Sequence, residues 1–563
     1  MAMQRQRYVA VMTLFLLVAG RLSAAHDPVW GMHGAVASSE VHASAAGIEI
    51  LEQGGNAVDA AVAVGFTLAV THPYAGNLGG GGFMLIRQAS GQSYFLDYRE
   101  VAPAAATANM YLDAKGNYIP KSSILGYRAV GVPGSVAGLA AAQRRFGKLS
   151  LATVMAPAIR LAEQGFPLAY AQAQSLHAEN LEAFPESRRL FQRDGQYYQP
   201  GETFRQPELA ATLRRIARVG PQDFYRGEIA GKLAAFMAAH GGLITAADLA
   251  DYQPKWRTPL TGTYRGYQVI TAPPPSSGGV ALLEMLNMLE PTDYQKAGFL
   301  SAASLQYEAE AMRRAFADRS RFLGDSDFVP VPVAQLTDKA FARSRWASFK
   351  SGVASASAAV GPGQPAGAEA METTHFSVVD PAGDAVAVTT TLNGAFGSGV
   401  TVDGLGFLLN NEMDDFTSKP GVPNMFGLVQ GKANAIQPHK RPLSSMTPTI
   451  VTRDGKLALV LGSPGGPTII NTVLEVLTGV VDFGLNIREA VEAPKIHHQW
   501  LPDVLRLDGF GFSPDTVAVL EHMGYQVKVG GFWCDSEDIA VDPKTGARMA
   551  ASDPRASGIS LAY

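Results

Sequence analysis

Apolar and polar residues alternate along this chain in two rhythms, each broken by glycine or proline. Residues 46–53 read as a helix stopped by Gly54-Gly55, and residues 57–71 as a second, largely buried helix stopped at Pro73. Residues 83–87 and 93–99 read as strands joined by a glycine-bearing turn. A helix starts after Gly131-Val-Pro-Gly-Ser135, and residues 149–164 and 207–219 look helical. Residues 267–271 read as a strand, and Pro273-Pro-Pro-Ser-Ser-Gly-Gly279 leads into a helix over 280–289. Farther on, 457–461 reads as a strand, Gly462-Ser-Pro-Gly-Gly466 as a turn and 469–477 as a helix. No internal repeat is present, and the alternation of strands with helices points to a mixed α and β protein.

One hairpin carries more information than the rest. Residues 373–380 and 385–391 are rich in β-branched side chains and flank the four-residue turn Pro381-Ala-Gly-Asp384. Folding the chain about Ala382 sets Thr373 opposite Thr391, and directly paired residues lie about 5 Å apart. Taken alone, two facing threonines are ordinary sheet residues. Just upstream, residues 351–370 are almost entirely Ala, Gly, Ser and Pro. Such a segment has little side chain to bury against its ordering entropy, so it is expected to be mobile, either as an interdomain linker or as the approach to a processing site.

Composition narrows the function. The 563 residues carry 46 Lys+Arg against 50 Asp+Glu, a formal net charge of −4, which excludes a broad basic footprint for nucleic acid. At 47% hydrophobic the chain is no disordered protein, and its length alone allows three or four domains. The single Cys534 excludes an internal disulfide and a cysteine-rich zinc site. His497-His498 are adjacent and would point to opposite faces of a strand, which argues against a shared metal; no metal and no cofactor is expected. His-Glu-x-x-His and Gly-x-Ser-x-Gly are absent, and Gly466 is followed by Pro467-Thr468 where a phosphate loop needs Lys-Ser/Thr. Arg5 and Arg7, the apolar run 8–19 and Ser23-Ala24-Ala25 read as a signal peptide over 1–25. The mature protein is then exported, with no membrane span after the leader is removed. No Asn-x-Ser/Thr acceptor occurs, which favours a periplasmic or extracellular bacterial setting.

Six ordered blocks then give the chain a likeness. Gly54-Gly-Asn-Ala-Val-Asp-Ala60, Gly76-Asn-Leu-Gly-Gly-Gly-Gly-Phe83, Thr373-Thr-His-Phe-Ser377, Leu409-Asn-Asn-Glu-Met-Asp-Asp-Phe416, Arg441-Pro-Leu-Ser-Ser-Met446 and Gly462-Ser-Pro-Gly-Gly466 resemble the gamma-glutamyltranspeptidases, over about residues 34–563. The resemblance implies an α+β N-terminal-nucleophile hydrolase fold. That is an αββα sandwich, one intertwined domain cut into a large subunit, 26–372, and a small subunit, 373–563. It implies self-cleavage between Glu372 and Thr373, with Thr373 as nucleophile, Thr391 orienting its hydroxyl, and Gly465 and Gly466 supplying oxyanion donors. Arg99 would hold the substrate α-carboxylate with Ser444 and Ser445, while Asn393, Glu412 and Asp415 would hold the α-amino group. The implied partners are glutathione and other γ-glutamyl compounds as donors, amino acids or dipeptides as acceptors, and the two subunits as a heterodimer.

Some positions depart from the family pattern. Glu412 stands where some relatives have Gln, an added negative charge that should favour an ammonium. Asp415 is kept, whereas relatives acting on glutaryl side chains often lack it, so a cephalosporin acylase is disfavoured. Phe426, in the lid-like segment 418–437, stands where a tyrosine often reaches the asparagine matching Asn393; a phenyl ring cannot donate that bond. A rival from another class is an unprocessed binding protein that keeps the pocket.

Overall fold

The computed structural model describes residues 27–361 and 373–563; the leader over 1–25 and Glu372 lie outside them. Two seven-stranded sheets dominate. The first takes β1 (Val29–Gly31), β6 (Leu260–Tyr264), β7 (Tyr267–Thr271), β10 (Thr449–Arg453), β11 (Lys456–Leu461), β12 (Glu537–Val541) and β13 (Arg548–Ser552), in the order β1-β13-β12-β11-β10-β7-β6. The second takes β2 (Ala35–Ser38), β3 (Gly81–Arg87), β4 (Ser93–Asp97), β5 (Lys255–Arg257), β8 (Thr374–Val379), β9 (Ala385–Thr391) and β14 (Ile559–Ala562), in the order β14-β2-β8-β9-β3-β4-β5. Both sheets interleave strands from before and after Thr373, so the two halves of the chain share one core.

The period-2 alternation of the central strands sorts their side chains into two layers. Phe83, Leu85, Ala385, Ala387 and Val379 join a core with Val451, Leu459 and Ile539 of the other sheet. Their neighbours Met84, Ile86, Val386, Val388, Phe376 and Val378 join a second core with the helices α1 (Val41–Glu52), α2 (Ala57–Thr71) and α3 (Ser135–Phe146). Helices α4 (Gly278–Leu289), α5 (Ala302–Phe322) and α6 (Thr468–Val481) contribute to the inter-sheet core from the first sheet's side. The result is helix, sheet, sheet, helix: the expected αββα sandwich.

Local signals place these elements well. Helix α2 spans the expected residues, opened by an Asn56–Asp59 capping box and buried throughout. Helix α1 starts earlier than expected, because Glu40 caps it by accepting from His42 and Ala43. The β8–β9 register pairs Thr374 with Thr390 and Val379 with Ala385, the pairing that the four-residue turn requires.

The segment 351–370 is a correction where it is described. Residues 351–361 are ordered and include a short helix, Ser357–Val360. The Ser355 amide donates to Glu310 at 3.0 Å and the Ser357 amide to Asp503 at 2.7 Å; the Trp500 indole donates to the Ser357 carbonyl at 2.9 Å. Backbone groups can be held by distant carboxylates even where the side chains have nothing to bury. This stretch is packed chain, not an interdomain linker; 362–370 lies outside the described residues.

Candidate active site

Thr373 stands at the head of β8, and its Oγ1 lies 3.4 Å from Oγ1 of Thr391 at the end of β9. Both are nearly buried, at 8% and 2% exposure, which leaves Thr373 the more accessible hydroxyl. The glycines that open β3 permit the close approach of this hairpin end. A Cβ on Gly82 would sit 2.5 Å from the Thr389 carbonyl, and one on Gly81 2.5 Å from Glu100 Oε2. Asn77, part of a motif block but given no role there, ties the region together. It donates to the Thr391 carbonyl at 2.9 Å and accepts from the Gly80 amide at 2.9 Å and from Ser135 Oγ at 2.6 Å. Thr391 Oγ1 in turn accepts from the Asn393 amide at 2.8 Å.

Gly465 and Gly466 form the turn between β11 and α6, with φ of +125° and +55°. Glycine is required here sterically as well as conformationally. A Cβ on Gly465 would meet the Trp533 carbonyl at 2.5 Å, and one on Gly466 would meet Phe426 Cδ1 at 2.9 Å. The turn is held by the Thr468 hydroxyl, which donates to the Gly465 carbonyl at 2.8 Å.

On one side of Thr373 is a tight polar pocket of about 20 Å³, lined by Arg99, Asn393, Glu412, Asp415, Ser444 and Ser445 together with Gly466 and Phe426. The sequence-selected residues thus converge from five separate segments. The buried Arg99 guanidinium is ion-paired with Glu412 and Asp415, lies 4.0 Å from Glu100, and donates to the Pro442 and Leu443 carbonyls at 3.3 Å. Burial works against its charge, but the three carboxylates more than offset this and keep it protonated. The same burial pushes the Glu100 carboxyl up to about 7 and Glu412 well above the usual carboxylate range, with Arg99 pulling both back. Glu412 therefore already sits on Arg99, and its burial favours the protonated form.

Ser445 Oγ accepts from Arg319 Nη2 at 3.2 Å, and Arg319 Nε donates to Ser277 Oγ at 2.9 Å. This second buried cation, projected by α5, carried no local sequence signal. Burial lowers its pKa to about 10, so it stays charged. Asn393 donates to the Asn411 carbonyl at 3.1 Å and approaches the Met425 sulfur at 3.7 Å. Thus the segment over the pocket reaches Asn393 through Met425, while the neighbouring Phe426 ring packs on Gly466. His497 and His498 hold different partners, Asn471 and Gln499 for the first and Asp503 for the second. Among the described residues no group of His, Cys, Asp and Glu is arranged to hold a metal.

Comparison with known proteins agrees with this constellation. The gamma-glutamyltranspeptidase family model matches residues 43–563. The chain belongs to that family. It is 50% identical over 531 residues to the glutathione hydrolase proenzyme of Escherichia coli strain K12, covering 94% of this chain and 91% of the relative. The solved gamma-glutamyltranspeptidase of Helicobacter pylori is 45% identical, with a TM-score of 0.57 over 58% of this chain and 94% of that one. The solved cephalosporin acylase of Bacillus halodurans is 28% identical, with a TM-score of 0.82 over 96% and 97% of the two chains. As a member of this transpeptidase family the chain is an enzyme, and its αββα sandwich is shared with those neighbours. Among the described residues no helix is long and apolar enough to cross a membrane.

Proposed function

We propose that this protein is an exported, self-processing γ-glutamyl hydrolase and transferase acting on glutathione and related γ-glutamyl compounds. The observation that carries the reading is the Thr373 hydroxyl at a strand head, 3.4 Å from Thr391 and next to a pocket holding a buried arginine. Cleavage of the Glu372–Thr373 bond by the Thr373 hydroxyl gives subunits 26–372 and 373–563, which remain associated through their shared sheets. It also gives Thr373 a free α-amine with an ordinary pKa of about 7.7–8.0, able to take the proton of its own hydroxyl. Thr391 orients that hydroxyl. Attack on the γ-glutamyl amide carbonyl forms a tetrahedral oxyanion, for which the amides of Gly465 and Gly466 are the donors. The departing amine takes the proton, a γ-glutamyl–Thr373 ester remains, and water or an acceptor amine resolves it.

Substrate fit follows from charge. The α-carboxylate suits Arg99, Ser444 and Ser445, with Arg319 supporting Ser445; the α-ammonium suits Asp415, Glu412 and Asn393. Because Asp415 and Glu412 already sit on Arg99, donor entry exchanges those ion pairs for the substrate's two charges. An acylase acting on glutaryl side chains has no ammonium to offer Asp415, which favours the γ-glutamyl reading over a cephalosporin substrate. The leader over 1–25 and the missing glycan acceptors favour the periplasm as its location, with release to the medium the alternative.

Gel electrophoresis of purified protein should show pieces of about 347 and 191 residues. Thr373→Ala should give one intact band and no glutamate release from a γ-glutamyl anilide. Normal cleavage in that variant would remove Thr373 from its role, and an intact, inactive wild-type chain would favour the binding-protein rival.

A further inference from the structure

The turn that carries Gly465 and Gly466 begins where a sheet ladder runs out. The last β11–β12 partners are Val460 and Ile539, so the backbone of Gly462 needs partners of another kind. They come from the start of β12 and the residues leading into it. The Gly462 amide donates to Asp538 Oδ1 at 2.8 Å, and its carbonyl accepts from Ser536 Oγ at 3.1 Å and from the Glu537 amide at 3.3 Å. Farther along, the Asp535 amide donates to Ser463 Oγ at 3.3 Å, and the Thr468 hydroxyl approaches the Trp533 carbonyl at 3.2 Å. Residues 533–538 thus run beside the turn from its base to its end. Trp533 and Asp535 also line, with Thr373 and Gly465, a largely apolar cavity of about 580 Å³. The other side of Gly462 is closed by the nucleophile's own strand. A Cβ on Gly462 would overlap the ring of His375, which lies on β8 and is held by Thr389 Oγ1 at 2.9 Å.

One proton decides the state of Asp538. Ser536 Oγ also lies 2.5 Å from Asp538 Oδ2, yet a serine has a single proton to give. If that proton goes to the Gly462 carbonyl, the one between Ser536 and Asp538 must belong to the carboxyl. A protonated Asp538 therefore closes a ring, in which Gly462 N–H donates to Oδ1, Oδ2–H to Ser536, and Ser536 O–H to the Gly462 carbonyl. An ionised Asp538 takes the serine proton and leaves that carbonyl one donor short. Both side chains are fully buried, and burial pushes the Asp538 carboxyl up to about 7. Of the charges facing it, Lys495 favours the carboxylate and Asp553 opposes it, while the adjacent Glu537 is itself raised by burial. Building on the reading of Gly465 and Gly466 as oxyanion donors, we propose that protonated Asp538 is a positioning residue for acyl transfer. It fixes Gly462 against the nucleophile's strand and so sets the direction of the two glycine amides. Those amides serve the tetrahedral oxyanion more than the bound donor, so Asp538 acts on kcat.

The test uses processed enzyme and a γ-glutamyl anilide donor over a range of concentrations, with rates expressed per cleaved chain. Asp538→Asn keeps the acceptor for Gly462 and the donor for Ser536, so its kcat should stay within about threefold of the unmodified enzyme. Asp538→Ala opens the ring and should lower kcat roughly tenfold to a hundredfold, less than outright loss of an oxyanion donor, while donor KM moves by less than about threefold. Ser536→Ala should lower kcat about fivefold, the worth of one hydrogen bond. An unchanged kcat in Asp538→Ala, a loss carried by KM, or a loss in Asp538→Asn as large as in Asp538→Ala would each overturn the proposal. If Asp538→Ala does not fold or process, the other two variants decide: failure of Asp538→Asn, or an unchanged kcat in Ser536→Ala, overturns it. Gly465→Ala separates the two levels. If it leaves kcat unchanged, the oxyanion reading itself falls; if it lowers kcat while Asp538→Ala does not, only the role of Asp538 falls.

Discussion

The two spaces that meet at Thr373 differ in almost every physical respect. One holds about 20 Å³, with a buried arginine already paired to carboxylates; the other holds about 580 Å³ behind largely apolar walls. A small pocket whose charges are all engaged can admit only a ligand that replaces each partner it displaces. That makes it selective for one zwitterionic group. A roomy cavity behind largely apolar walls discriminates less. The difference teaches that one threonine can adjoin two spaces that select by opposite means, charge exchange in one and apolar contact in the other.

Three perturbations bear on that contrast. The largest effect is expected from Arg99→Gln, which removes the cation and leaves Glu412, Asp415 and Glu100 buried without it. Breaking a buried ion pair in this way costs about 3–5 kcal/mol, so the melting temperature should fall clearly. Donor kcat/KM should fall at least about a hundredfold, through loss of a charge-assisted pair. A thermal melt and a donor titration check both, and an unchanged donor KM would move the carboxylate site elsewhere.

Gly465→Ala should come next. Its Cβ would sit 2.5 Å from the Trp533 carbonyl at a φ of +125°, so the turn must shift. Strain of this kind costs on the order of 1–3 kcal/mol. The proposed oxyanion donors would be displaced, so kcat should fall about tenfold to a thousandfold with a smaller change in donor KM. An unchanged kcat would show that this turn does not face the reacting carbonyl.

The smallest effect concerns pH. Glu100 and Glu412 hold protons more tightly in the folded protein than in the unfolded chain, because burial raises both. The stabilising contribution of Glu100 is therefore complete below the usual carboxylate range and is lost as pH rises through about 7, while that of Glu412 is lost only well above that range. Glu412→Gln removes one of the two raised carboxyls, so the fall in melting temperature between pH 5 and pH 8 should become shallower. Parallel curves for the two proteins would argue against a raised Glu412 carboxyl.

Much of this could be read from the chain, for identifiable reasons. The β8–β9 register was legible because a four-residue turn and β-branched runs set the pairing locally, which is how Thr373 and Thr391 come to face each other. Arg99, Asn393, Glu412, Asp415, Ser444 and Ser445 were legible through motif blocks. Their state was not. The ion pairs of Arg99 join residues more than 300 positions apart, and no local pattern reports that Glu412 would be engaged by an arginine and a second glutamate. Arg319 and Asn77 were missed because an arginine in a helix, or an asparagine beside glycines, looks the same whether it faces solvent or a buried hydroxyl. The error over 351–361 has the same origin: composition records what a segment's side chains can bury, but not which distant carboxylates will hold its backbone.

The sequence by itself determined the elements, the hairpin register, the turn glycines and the kinds of residue available for acyl transfer. These follow from neighbours within a few positions, through sterics, turn chemistry and alternation. Only the tertiary structure decided that both halves of the chain build each sheet, that Arg99 is already paired, and that two unlike cavities share Thr373. Those properties depend on burial and on charges brought together across the fold, and a carboxylate, a guanidinium or an indole takes its chemical character from that environment.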